Sequence, residues 1–115
     1  MRAVLGKAFA GLLLIGAALV IPSGPAFAAG LPLISSQDGR CLDSDIATPT
    51  HDGTKAQTWQ CTGGLNQAWT WYPDGSIRSS WDSRCLDEDV SGGTHNGTKV
   101  QVWYCNGWLN QKWHH

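Results

Sequence analysis

The sequence predicts an all-β protein made of one disulfide-stapled unit written twice, and three observations predict it. The first is self-similarity: at an offset of 44, residues 35–69 and 79–113 agree at 21 of 35 positions without a gap. The second is texture, because the segments between Gly, Pro, Asn and Asp are short, alternating, and rich in Trp, Val and Thr. The third is an even number of cysteines at matched positions, Cys41 with Cys85 and Cys61 with Cys105.

The chain begins with a segment that does not belong to the fold. Arg2 and Lys7 precede an unbroken apolar run from Ala8 to Ile21, followed by Pro22, Pro25 and the triplet Ala26-Phe27-Ala28. This is the three-part layout of a secretory signal peptide with a small-x-small cleavage site. The run has 14 residues, short of the roughly 20 that span a bilayer. Residues 1–28 are therefore expected to be removed, leaving a secreted, soluble domain over 29–115 with no membrane contact. That part carries six Lys/Arg against nine Asp/Glu and no basic stripe, which argues against nucleic acid as a partner. All seven tryptophans and all four cysteines lie in it. A small exported chain with paired cysteines reads as stapled, and two loop closures of about 3 kcal/mol each matter in a domain this small.

Each unit then runs in the same order. Arg-Cys-Leu-Asp (Cys41–Asp43, Cys85–Asp87) opens a strand, a Gly/Thr/Asp-rich loop follows, and an alternating strand ends in cysteine before Leu-Asn-Gln-x-Trp closes the unit. Tyr72-Pro73-Asp74-Gly75 between two short apolar segments is a turn tetrad and ends the first unit. No helix is expected after the leader. In Val100–Tyr104 alternation puts Val100, Val102 and Tyr104 on the core side and Lys99, Gln101, Trp103 and Cys105 opposite. Repeat one agrees, with Ala56, Thr58 and Leu42 inward and Lys55, Gln57, Trp59, Cys61, Cys41 and Asp43 outward.

Pairing Cys41 with Cys61 and Cys85 with Cys105 closes one loop per unit and treats the units alike, although four cysteines allow three connectivities. If each bridge joins residues directly opposite in an antiparallel pair, the constant index sum sets Asp43 opposite Trp59 and Asp87 opposite Trp103. A carboxylate beside an exposed indole suits a sugar, whose C–H face packs on the ring while vicinal hydroxyls donate to the acid. Asn66 and Asn110 are expected to add a group that both donates and accepts.

Two Gln-x-Trp motifs, Gln67-Ala68-Trp69 and Gln111-Lys112-Trp113, each following Cys-Leu-Asp and a Gln-x-Trp-x-Cys strand, give the sequence its family likeness. It resembles the ricin-B-type lectin domain, a β-trefoil of three such units. The resemblance covers nearly all of 29–115 and implies a partial β-trefoil of two four-stranded repeats, 31–74 and 75–115. It further implies a carbohydrate-binding, non-enzymatic module without cofactor, taking galactosides or plant cell-wall polysaccharides. Asp43, Gln57, Trp59, Asn66 and Gln67 would form one site, and Asp87, Gln101, Trp103, Asn110 and Gln111 the other. Asp, Trp and Asn would touch the ligand, Gln67 and Gln111 would orient the carboxylate, and Trp69 and Trp113 would be core. The sequence departs from the family at Trp113-His114-His115, before a third unit; the expectation is a truncated trefoil or one completed by further copies, hence an oligomer.

Two other readings stand beside this one. The repeated Asp-Trp-Asn set is scaffold if the indoles are buried and the turn carboxylates cap their own backbone, which would make the chain a non-binding fragment of a larger enzyme's lectin domain. Asp43 with Asp45, or Asp87 with Asp89, spaced two apart on a strand, is the carboxylate pair of a small glycoside hydrolase; no apolar pocket to raise one pKa is written around them. His51, His95, His114 and His115 lack zinc-ligand spacing, and Asp87-Glu88-Asp89 lacks the glycine of a calcium loop, so no metal is expected. Asn96-Gly97-Thr98 fits a glycosylation acceptor and equally a turn.

Overall fold

A computed structural model describes residues 30–115; the expected leader and its cleavage site lie outside the described residues. Among the described residues six strands form: β1 (Cys41–Ser44), β2 (Thr54–Trp59), β3 (Trp69–Trp71), β4 (Ile77–Ser79), β5 (Cys85–Glu88) and β6 (Val100–Trp103). They make one antiparallel sheet in the order β1-β2-β6-β5-β4-β3. The crossing from β2 to β6 joins the repeats, pairing Thr54 with Val102 and Lys55 with Gln101. The segment at 31–34 touches both edge strands, through bridges Leu31↔Trp69 and Ile34↔Cys41, and so curls the sheet back on itself. Two-repeat trefoil architecture and both expected disulfides are present: Cys41–Cys61 and Cys85–Cys105, with Cα separations of 5.2 and 5.1 Å.

The turn between β3 and β4 forms where Pro73 and Gly75 predict it. Gly75 N donates to Tyr72 O at 2.9 Å, and Gly75 adopts φ 92°, a conformation open to glycine at little cost. The same economy appears at the turn before the first Cys-Leu-Asp strand and not before the second. Gly39 holds φ 77° in repeat one, whereas its counterpart Ser83 holds φ 66°.

Trp69, Ile77, Leu86 and Val102 form the core, with Leu42, Ala56, Val100 and Trp113 packed against it. Each Gln-x-Trp indole also has a polar task. Trp69 Nε1 donates to Leu42 O and Trp113 Nε1 to Leu86 O, both at 3.0 Å. The apolar ring is thereby packed while its N–H is satisfied by the Cys-Leu-Asp strand of the same repeat.

Three expectations are corrected. The register is shifted by two: Cys41 pairs with Trp59 and Asp43 with Gln57, and likewise Cys85 with Trp103 and Asp87 with Gln101. Cys61 and Cys105 lie beyond the strand ends and reach back diagonally, which a disulfide permits because its geometry fixes a distance and not an opposite position. An even shift preserves the alternation of faces along each strand. Second, Tyr104 and Thr58 are exposed rather than inward, because past Trp103 and past Gln57 the chain runs off the core. Third, the Leu-Asn-Gln segments form single 3-10 turns, Leu65–Gln67 and Leu109–Gln111, where no helix was expected. Such a turn is short enough to leave no periodic trace in sequence.

Candidate functional site

In each repeat one aspartate sits at the centre of a ring of side-chain amides. Asp43 Oδ1 accepts from Gln57 Nε2 at 3.1 Å, while Asp43 Oδ2 accepts from Asn66 Nδ2 at 3.1 Å and from Gln67 Nε2 at 2.9 Å. Repeat two reproduces this around Asp87, with Gln101 at 2.9 Å on Oδ1, and Asn110 at 3.1 Å and Gln111 at 2.9 Å on Oδ2. The strands supply Asp and the first Gln as directly opposite residues, and the 3-10 turn supplies Asn and the second Gln. The structure thus brings together every polar residue that the sequence singled out.

Burial is where the expectation of an outward polar face is amended. Asp43 and Asp87 are 4% and 3% exposed, and Gln101 is 5% exposed, because the 3-10 turn folds over that face and turns its floor into a socket. A buried carboxylate is costly unless hydrogen-bonded, and three amide donors meet that requirement here.

Counting donors and acceptors fixes what each side chain still offers. Gln67 is fully engaged: its Nε2 also donates to Gln60 O at 2.9 Å, and its Oε1 accepts from Thr62 N at 2.8 Å. Gln111 is engaged in the same way, with Tyr104 O at 3.0 Å and Asn106 N at 2.9 Å. Both glutamines hold the carboxylate and the loop, keep no free N–H, and at 2% and 1% exposed present nothing to a ligand. Asn66 Nδ2 also donates to Ser44 O at 3.1 Å, and Asn110 Nδ2 to Glu88 O at 3.0 Å. With both N–H groups used, each asparagine presents only its carbonyl oxygen, not the donor-acceptor pair expected from residue type. One acceptor position on Asp Oδ1, one N–H and the oxygen of Gln57 or Gln101, and the Asn oxygen remain. That set is acceptor-rich and matches ligands that present hydroxyl donors.

Beside each ring lies an open pocket with an indole in its wall. The first, of about 300 Å³, is lined by Asp43, Asp45, Ile46, Ala47, Gln57, Trp59, Thr62 and Asn66, and Trp59 is 52% exposed. The second, of about 560 Å³, is lined by Asp87, Gln101, Trp103 and Asn110 together with Gly53, Asp89, Val90, Ser91, Lys99, Tyr104, Asn106 and Trp108. Asp45 and Asp89 thus share pockets with the two central acids. The Ser91 hydroxyl, at 2.7 Å, and its backbone N–H hold the Asp89 carboxyl below the usual carboxylate range. Sequence reasoning missed Trp108 as a wall residue. Its signal was available as an asymmetry between repeats, since the equivalent position in repeat one is Gly64. Among the described residues no cluster of three or more His, Cys, Asp or Glu is placed to hold a metal ion.

A ringed carboxylate beside a pocket with an indole in its wall recurs in both repeats of a curled, partial β-trefoil sheet. Residues 30–115 match the ricin-type β-trefoil lectin domain, and the chain belongs to that family. Among solved structures it is similar to the β-trefoil lectin of the Vibrio vulnificus hemolysin/cytolysin with N-acetyl-D-lactosamine bound, at 28% identity and TM-score 0.63, covering 76% of this chain and 63% of that one. It is similar also to the designed 3-fold symmetric protein ThreeFoil, at 27% identity and TM-score 0.63, covering 71% and 60%. The hemolytic lectin CEL-III, at 21% identity and TM-score 0.53 over 69% of this chain and 18% of that one, shares the fold. The chain thus spans less than two thirds of either the Vibrio vulnificus lectin or ThreeFoil, 63% and 60% of their lengths.

Proposed function

We propose that this chain is a secreted lectin module with one sugar site per repeat and no catalysis of its own. The observation that carries the reading is the doubled constellation: in both repeats a buried aspartate is aimed by three amides beside a pocket whose wall is a tryptophan. In this reading Trp59 and Trp103 stack on the sugar ring, Asp43, Asp87, Asn66 and Asn110 accept from its hydroxyls, Gln57 and Gln101 flank them, and Gln67 and Gln111 position the acids. Galactosides fit this reading, since N-acetyl-D-lactosamine occupies the Vibrio vulnificus lectin; plant cell-wall glycans are the other class to test. Export is supported by the leader pattern and by two disulfides, which persist in oxidising compartments. Self-association belongs to the same reading and is supported by the exposure of Leu31, Trp71 and Trp81; light scattering over a dilution series, giving more than one chain's mass, tests it.

Open single-plate sites bind weakly, so useful affinity comes from two sites engaging one glycan surface. The test is a glycan array followed by titration of the double variant Asp43→Asn, Asp87→Asn. An asparagine there turns one acceptor oxygen into an NH₂ group facing amide donors, so binding is expected to fall by at least tenfold. Unchanged affinity with the fold retained refutes the assignment, silence across the array favours a scaffold, and new reducing ends reveal a hydrolase.

A further inference from the structure

The two pockets are not equal, and the inequality has a residue-level cause. The second has nearly twice the volume of the first, about 560 against 300 Å³, where small-molecule sites begin near 300 Å³. It also has two indoles in its wall, Trp103 and Trp108, where the first has Trp59 alone. Trp108 is 65% exposed, yet its backbone is held on both sides. Its N–H donates to Asn106 Oδ1 at 2.9 Å, and its carbonyl accepts from Gln111 N at 3.0 Å. Gln111 is itself fixed to Asp87, so the second indole is anchored to the centre of the site.

Repeat one is built so that this indole is absent. A Cβ at Gly64 would lie 2.7 Å from Asn66 Oδ1, the oxygen that Asn66 leaves free. Asn66 is 6% exposed, whereas Asn110, beside Trp108, is less deeply buried. The repeats therefore offer a compact site with one plate and an extended site with two.

We propose that the repeat-two site binds an oligosaccharide of two or more pyranose residues, with Trp103 stacking one residue beside Asp87 and Trp108 stacking the next, while the repeat-one site takes a single residue. The inference rests on the lectin reading and deepens it. A lone ring held by Asp87 and Trp103 leaves Trp108 in water, whereas a second ring covers it and removes apolar surface from both partners.

The test follows the indole N–H resonances of ¹⁵N-labelled protein during titration with two probe pairs, galactose against N-acetyl-D-lactosamine and xylose against xylobiose. For the pair that binds, the monosaccharide is expected to move Trp59 and Trp103 only, and the disaccharide to move Trp108 as well. Trp108→Ala is expected to weaken the disaccharide about fivefold or more at repeat two, leave the monosaccharide unchanged, and leave the melt unchanged, with Trp108→Phe restoring part of the loss. A Trp108 resonance that stays still with the disaccharide, or an equal loss for mono- and disaccharide in Trp108→Ala, overturns the inference and leaves the lectin reading standing. No response of Trp59, Trp103 or Trp108 to any probe overturns both.

Discussion

Arg84 Nε lies 2.8 Å from Asp52 Oδ1, and the same oxygen accepts the backbone N–H of Tyr104 at 2.8 Å. One carboxylate oxygen of repeat one thus ties together the turn between β4 and β5 and the residue just past β6, both in repeat two. Arg84 is held from the other side by Asp82, 2.9 Å away, and the two acids push its guanidinium pKa further up. The equivalent of Asp52 in repeat two is Asn96, so the clamp exists once, where the repeats meet.

Asp52→Ala is expected to lower stability by about 1–2 kcal/mol, since it strands a backbone N–H and removes a charge-assisted bond while Arg84 keeps Asp82. For a domain of this size about 1 kcal/mol corresponds to roughly 4–8 °C in melting temperature. A melt unchanged from the parent would show that water replaces the carboxylate at no cost.

The tryptophans divide by burial. Trp69 is 3% exposed and satisfies its N–H on Leu42 O, so Trp69→Ala is expected to cost roughly 3–5 kcal/mol, the range for an aromatic removed from a packed interior. Trp59 is 52% exposed, and Trp59→Ala is expected to weaken glycan binding at repeat one with little change in the melt. Equal losses of melting temperature in the two variants would contradict the division.

Ser44 presents the opposite case, a group whose removal helps. It is 0% exposed, and its hydroxyl is buried with no hydrogen-bond partner. Only its backbone carbonyl serves the site, by accepting from Asn66. Ser44→Ala is expected to leave binding intact and to raise stability by about 1 kcal/mol, because an unmade buried hydrogen bond costs free energy. A loss of stability in chemical denaturation would argue against it.

Acid sensitivity concentrates at the turn between the repeats. The Ser76 hydroxyl and backbone N–H, helped by Lys112 and Arg78, hold the Asp74 carboxyl down from its ordinary 3.8 to about 2. Between those values the unfolded chain binds more protons than the folded one, so stability rises with pH across the window. The contribution is complete above about pH 4 and is lost as pH falls through about 2. Asp38 and Asp89, whose carboxyls are also lowered, act with the same sign. The melting temperature is therefore expected to drop between pH ~4 and ~2, and to drop less steeply in Asp74→Asn; parallel slopes would exclude Asp74 as a source.

The repeat determined most of what could be known beforehand. Because the same residue types recur at one offset, strand positions and a symmetric choice among the three disulfide connectivities follow from repetition and alternation, whereas the core role of Trp69 and Trp113 and the membership of each polar set are what the resemblance to the ricin-B-type lectin domain implies. Tertiary structure decided what depends on distance across strands. A disulfide constrains separation and not register, so only the assembled sheet set Asp43 opposite Gln57 rather than Trp59. Hydrogen-bond capacity is shared among neighbours, so only the folded ring showed that Gln67 and Gln111 keep no free N–H and that Asn66 and Asn110 keep one oxygen. The inequality of the two pockets was written in sequence as Gly64 against Trp108, but a substitution in a loop gains meaning only when the chain brings it to the wall of a site.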